Sequence, residues 1–233
     1  MTSRAGVLDA LGSVHDPELD EPITVLRFVT SCEVTPDGDV DIVLRLPTPQ
    51  CAPNFAYLMA ADARNAVLRL PGVREVTVTL EDHYTGTEIN AAVARGEGFA
   101  AAFPGETEGD GLGELRRLFQ RKALLARQSR LCEALLADGA SAEQICASTV
   151  AELPHSSDAR RCLELRRELE IPSDAGSPAV VLASGQRLMA QQFERWLRMG
   201  RLVRTSLEAN GGLCRSLLQF RHGLAPESEE VAG

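Results

Sequence analysis

Apolar residues Val7, Leu8, Leu11 and Val14 recur at helical spacing, so residues 4–14 read as a short amphipathic helix ending at His15-Asp16-Pro17. Two strand-like runs follow, 27–35 and 39–46. The second alternates, with Val40, Ile42, Leu44 and Leu46 set against Asp39, Asp41, Val43 and Arg45. Asp37-Gly38 between them is a hairpin turn signal. Residues 54–69 return to helical spacing through Phe55, Leu58, Met59, Ala63, Ala66 and Val67, until Pro71-Gly72 stops the pattern. Val73, Val76, Val78 and Leu80 then mark a third strand. The order helix–strand–strand–helix–strand predicts a three-stranded sheet with helices on one face and a right-handed crossover into the third strand. That crossover sets the loop around Cys51 at the carboxyl end of a strand, where ligand sites of α/β sheets collect.

Further along, six glycines and several acids crowd residues 96–113, and residues 96–111 read as a linker. From Leu112 the spacing is helical through Leu115, Leu118, Phe119, Ala126, Leu131 and Leu135. Ser141 with Gln144 forms a capping-box pattern, and another helix runs from Ser157 until Ile171-Pro172 blocks it. Residues 180–188 suggest a small hairpin, followed by a long helix over 190–207. Gly211-Gly212 is expected to break that helix before a last segment at 213–220. The fold class is therefore α+β: a sandwich-like α-β-β-α-β domain over residues 1–95, then a mostly helical domain with a small hairpin over 112–224. A disordered tail is expected over 225–233.

Composition narrows the classes. The chain has 233 residues and a net charge of -9, and the charge is uneven: residues 1–110 carry 7 Lys/Arg against 18 Asp/Glu. An acidic first half argues against a nucleic-acid partner. The basic pairs of the second half, such as Arg116/Arg117 and Arg166/Arg167, alternate with acids as on a solvated helix face. No apolar run reaches membrane-spanning length, and residues 1–6 lack the apolar core of a signal peptide, so a soluble cytoplasmic protein is expected. The six cysteines (Cys32, Cys51, Cys132, Cys146, Cys162 and Cys214) show no C-x-x-C spacing, which fits a reducing compartment and no disulfide framework.

Candidate chemistry centres on Cys51, in Leu46-Pro47-Thr48-Pro49-Gln50-Cys51-Ala52-Pro53-Asn54. A thiol at a helix entrance faces unsatisfied N–H groups that favour thiolate, the form that binds soft metals or attacks electrophiles. Read alone, Cys51 fits either that role or a small apolar residue packed under a helix end. Asp16 and Glu18 place two carboxylates in a proline-stiffened loop that equally suits helix termination. His83, just past the third strand, could add a nitrogen ligand or be a surface residue. Thr48 is expected to order the loop through its hydroxyl. Cys132, Cys146, Cys162 and Cys214 lie on apolar helix faces and read as core. A thiol enzyme needs a base beside Cys51, for which only His15 and His83 are placed.

Asp16-Pro17-Glu18, Ile23-Thr24-Val25-Leu26, Asp37-Gly38, Thr48-x-x-Cys51 and Leu70-Pro71-Gly72-Val73 occur in the order seen in the metal–sulfur cluster assembly domain of SufT and PaaD proteins. The first half, over roughly residues 5–82, resembles that family, with Gln50-Cys51-Ala52-Pro53 standing where members commonly have Gly-Cys-Pro. The resemblance implies a maturation factor, not an enzyme, that transiently binds iron or an iron–sulfur cluster and acts on a client metalloenzyme. Cys51 is then the candidate metal ligand, with Asp16, Glu18 and His83 as candidate co-ligands. A cluster normally takes four ligands, so it is shared across a homodimer, completed by the client, or held with outside thiols. The second half is similar to extensions on longer members that accompany bacterial multicomponent hydrocarbon monooxygenases, and client binding is assigned to it. The competing reading is a metal-free adaptor or specialised chaperone for a client subunit. Nucleic acid and membrane are not expected partners.

Overall fold

The computed structural model describes residues 2–105 and 112–223, and the chain divides into two compact units. One holds the chain up to Gly113 together with the residues from Asn210 onward; the other is Glu114–Ala209. The remainder of the expected linker and the expected disordered tail lie outside the described residues.

In the first unit, α1 (Arg4–Leu11) begins at Ser3, whose Oγ accepts the Gly6 N–H at 3.1 Å. It buries Val7 and Leu11. Strands β1 (Val29–Val34) and β2 (Asp39–Arg45) pair antiparallel, and α2 (Pro53–Leu68) carries the chain across to β3 (Glu75–Glu81), which pairs parallel with β2. The sheet order is β1-β2-β3. Alternation sets the register: Val40, Ile42 and Leu44 lie opposite Val76, Val78 and Leu80, and all six are buried.

Two helices occupy stretches where the sequence pattern gave no helix. α3 (Gly86–Arg95) buries Ile89, Ala92 and Val93 and ends at Gly96, whose φ of 67° is the left-handed turn-off that glycine takes without strain. Its Asn90 side chain accepts the Leu80 N–H at 2.8 Å and donates to the Leu80 carbonyl at 3.1 Å, covering part of the open edge of β3. α4 (Phe99–Ala102) falls within the segment expected as linker. Phe99 meets the ring of Tyr57 edge-on at 5.5 Å, and the Tyr57 hydroxyl donates to the Glu97 carbonyl.

The second unit is helical: it takes α5 (Leu112–Ala137) from Glu114 on, α6 (Ala142–Ala147), α7 (Ser157–Glu168) and α8 (Phe193–His222) as far as Ala209. The Ser141/Gln144 capping box forms as expected. The hairpin at 180–188 is reduced to one antiparallel bridge, Val181 to Arg187. Arg166 of α7 is 0% exposed and donates to the carbonyls of Pro178 and Ala179, while Gln128 of α5 exchanges two hydrogen bonds with the Val181 backbone.

Contrary to expectation, Gly211-Gly212 does not break α8, which runs unbroken for 30 residues. Each glycine costs a helix about 1 kcal/mol relative to alanine, but the last turns are held by packing within the first unit. Leu218 is 3% exposed there, and Arg215 pairs with Glu21 at 2.6 Å. A side chain at position 211 would crowd the Glu21 carboxylate and the Arg215 guanidinium, so glycine makes room for this pair.

Candidate functional site

The loop that follows β2 is ordered by its own polar atoms. The Cys51 N–H donates to the Thr48 carbonyl at 3.3 Å, and the Thr48 hydroxyl lies 3.6 Å from the Cys51 Sγ. Pro53 opens α2, where a missing N–H costs nothing, and Ala52 precedes it with no side-chain cap. Cys51 is half-buried and reduced.

His83 reaches this loop through the backbone. Its Nε2 lies 2.8 Å from the Cys51 carbonyl, while its Nδ1 faces the Thr85 N–H and hydroxyl at 3.3 and 3.2 Å. A neutral imidazole protonated at Nε2 satisfies all three contacts. Both ring nitrogens are thereby engaged, and His83 positions the Cys51 loop. The Tyr84 N–H adds a bond to the Pro49 carbonyl at 3.1 Å.

Asp16 and Glu18 occupy a compact ring closed by the His15–Pro22 bridge. Asp16 Oδ1 accepts the N–H groups of Glu18 and Leu19 at 2.8 and 2.9 Å, an Asx turn. The residue is only 8% exposed. Burial pushes its carboxyl up to about 6 despite those two bonds, and the charges of Glu18 and Glu21 add to the rise. Glu18 Oε1 accepts from the Asn210 side chain at 3.4 Å, which brings α8 to this loop.

The same part of α8 supplies a residue that sequence reasoning assigned to packing. Cys214 is half-buried, and its thiol is raised to about 11 by burial first, then by Asp16, Cys51 and Glu18. Its electrostatic neighbours are thus the predicted site residues themselves. No short spacing announces this, because 163 positions separate Cys214 from Cys51. Among the described residues, no three His, Cys, Asp or Glu side chains already stand close enough to hold a metal ion.

The family model for iron–sulfur cluster assembly proteins matches residues 4–80. An uncharacterised protein of Methanocaldococcus jannaschii is 36% identical over 90 residues, which span 93% of that relative and 39% of this chain. The chain belongs to the iron–sulfur cluster assembly protein family. Two relatives named iron–sulfur cluster carrier proteins are similar over a shorter share of their length. That of Mycobacterium tuberculosis is 39% identical over 77 residues and that of Deinococcus radiodurans 36% over 73, and each match spans 20% of the relative and about a third of this chain. The assembly-family segment contains Asp16, Glu18 and Cys51; His83 lies just beyond it and Cys214 far outside it. Among the described residues, no helix is long and apolar enough to cross a membrane.

Asp16 gives this assembly-family unit a testable pH dependence. Its folded pKa lies above the unfolded value, so the folded state holds an extra proton between the two, and stability falls as pH rises from about 4 to about 6. Asp16→Asn keeps an oxygen for both N–H groups and removes the charge. Urea titrations should show the variant more stable than the parent by about 1–3 kcal/mol at pH 7.5, with the gain vanishing below pH 4. A difference independent of pH would show that burial of the charge is not what controls this loop.

Proposed function

We propose that the chain is an iron–sulfur assembly factor that takes iron or a cluster as transient cargo through Cys51 and passes it to a client metalloenzyme. The observation that carries this reading is a half-buried, reduced thiol on a loop held by His83, Thr48 and Tyr84, inside the segment matched by the assembly family. Thiolate sulfur is the donor that iron–sulfur cargo uses, and Asp16 and Glu18, on the loop after α1, are oxygen donors suited to iron. Partial ligation leaves positions for the recipient's own ligands, so cargo can leave by ligand exchange. Client recognition is assigned to the helical second half.

Anaerobic reconstitution with ferrous iron and sulfide tests this reading. The parent protein is expected to show sulfide-to-iron charge-transfer absorption and bound iron and sulfide, and Cys51→Ala is expected to lose most of both while melting near the parent. Equal iron and sulfide on the two proteins would remove Cys51 from the function. Failure of the parent to bind either would favour the metal-free adaptor.

A further inference from the structure

Helical spacing sets Asn210, Cys214, Leu218 and Arg221 on one face of α8, at steps of four, four and three residues. The other three all have partners in the α/β unit. Asn210 donates to Glu18 Oε1, Leu218 enters the core, and Arg221 donates to the Pro47 carbonyl at 2.9 Å and to Asp82 Oδ2 at 2.8 Å. The face is pinned at one end to the acidic loop and at the other to the start of the Cys51 loop. Cys214 lies between these anchors, about 6 Å along the axis from Asn210 and about 10 Å from Arg221. It packs against the same buried cluster as Cys51. The adjacent Arg215 is paired with Glu21.

We propose that Cys214 is the second sulfur donor of the Cys51 site, so that one chain offers two thiolates to a soft or borderline divalent metal ion. The inference rests on the cargo reading of Cys51 and adds a donor that the family match at residues 4–80 does not contain. Binding is a ligand exchange: each thiol loses one proton to solvent, two metal–sulfur bonds form, waters leave the ion, and no oxidation state changes. The cation enters beside Cys214, on which Asp16, Cys51 and Glu18 all act electrostatically, and its charge offsets that repulsion. A two-sulfur site holds its cargo more firmly than a lone loop thiol, yet leaves coordination positions for a recipient.

Cobalt(II) added anaerobically to the full chain is the probe, with Cys51→Ser and Cys214→Ser beside the parent. The parent should develop a thiolate-to-cobalt absorption band. Each variant should lose about half of it and bind cobalt about tenfold or more weakly, in line with the loss of a ligand. A second measurement uses only the parent: cobalt should slow iodoacetamide alkylation at both Cys51 and Cys214, read by peptide mass spectrometry. This reading holds even where Cys214→Ser fails to fold. Two outcomes overturn the proposal in different ways. An unchanged band in Cys214→Ser, or unprotected Cys214 beside protected Cys51, removes Cys214 and leaves the cargo reading standing. No band and no protection in the parent remove both.

Discussion

Arg166→Met is expected to cost the helical unit about 3–5 kcal/mol, enough to consume much of the stability of a domain this size. The guanidinium is 0% exposed and donates to the carbonyls of Pro178 at 2.9 Å and Ala179 at 2.5 Å, with a longer contact to Gln128 Oε1 at 3.4 Å. A buried charge can often be exchanged for an apolar group at little loss when its partners are exchanged too. Here the partners are backbone carbonyls, which no side-chain substitution removes. Methionine fills much of the space but leaves these acceptors dry and unbonded, at about 1–3 kcal/mol each. Arg166→Lys should fall between, since a single ammonium cannot reproduce the planar fork. Trp196, the only tryptophan and a residue of this unit, reports the unfolding in urea. A loss below about 1 kcal/mol for Arg166→Met would show that the loop at 172–181 is held by its apolar contacts alone.

The second large effect is expected at Gly38. Its φ of 90° is a conformation that side chains rarely adopt, and an added methyl would overlap the Gly72 carbonyl oxygen. Neither side can yield easily, because the Arg74 N–H binds the Gly38 carbonyl at 2.8 Å and the Gly38 N–H binds the Thr35 carbonyl at 3.1 Å. Gly38→Ala should therefore destabilise the α/β unit by about 2–4 kcal/mol. Gly98→Ala is the control: φ is -71° and an added Cβ meets nothing within 4 Å, so its effect should stay within about 1 kcal/mol. Hydrogen exchange in β1 and β2 distinguishes the two. Equal protection would mean that the two turns separate at little cost. Gly38 precedes β2 whereas Cys51 follows it, so any loss of cargo binding in Gly38→Ala should track the folded fraction alone.

Gly38 and Gly72 also show what a chain read in one dimension conveys. Each was legible as a turn, since glycine after aspartate and after proline are local signals. Their contact was not, because it depends on β3 pairing directly with β2 in a particular register. The alternation of β2 and β3 and the crossover between them were readable for the same local reason, and so was the place of Cys51 beyond the carboxyl end of a strand. α3 was missed because Ile89, Ala92 and Val93 make only a short stripe between Gly86 and Gly96. The continuity of α8 was hidden by two glycines whose cost is offset by distant partners. At the candidate site the residue types were visible but their division of labour was not. Which nitrogen of His83 meets a carbonyl, and which later cysteine packs against the same cluster as Cys51, are set by tertiary packing.

The first unit is discontinuous in the chain, and this orders events during synthesis. The hydrogen bonds from Asn210 to Glu18 and from Arg215 to Glu21 close loops of 192 and 194 positions. On the ribosome, residues 1–105 emerge with the sheet and the Cys51 loop complete, while the helix that anchors both site loops has yet to be translated. The entire helical unit is polymerised in between, and domains fold broadly in the order in which they appear. Nascent and prematurely terminated chains therefore present Cys51 before Cys214 has been made and without the Arg221 bond at Pro47. On the proposed reading, cargo offered early would meet a single thiol, on a loop already held by Thr48, His83 and Tyr84. The two-thiol site proposed above is therefore complete only once residues 210–221 have been made.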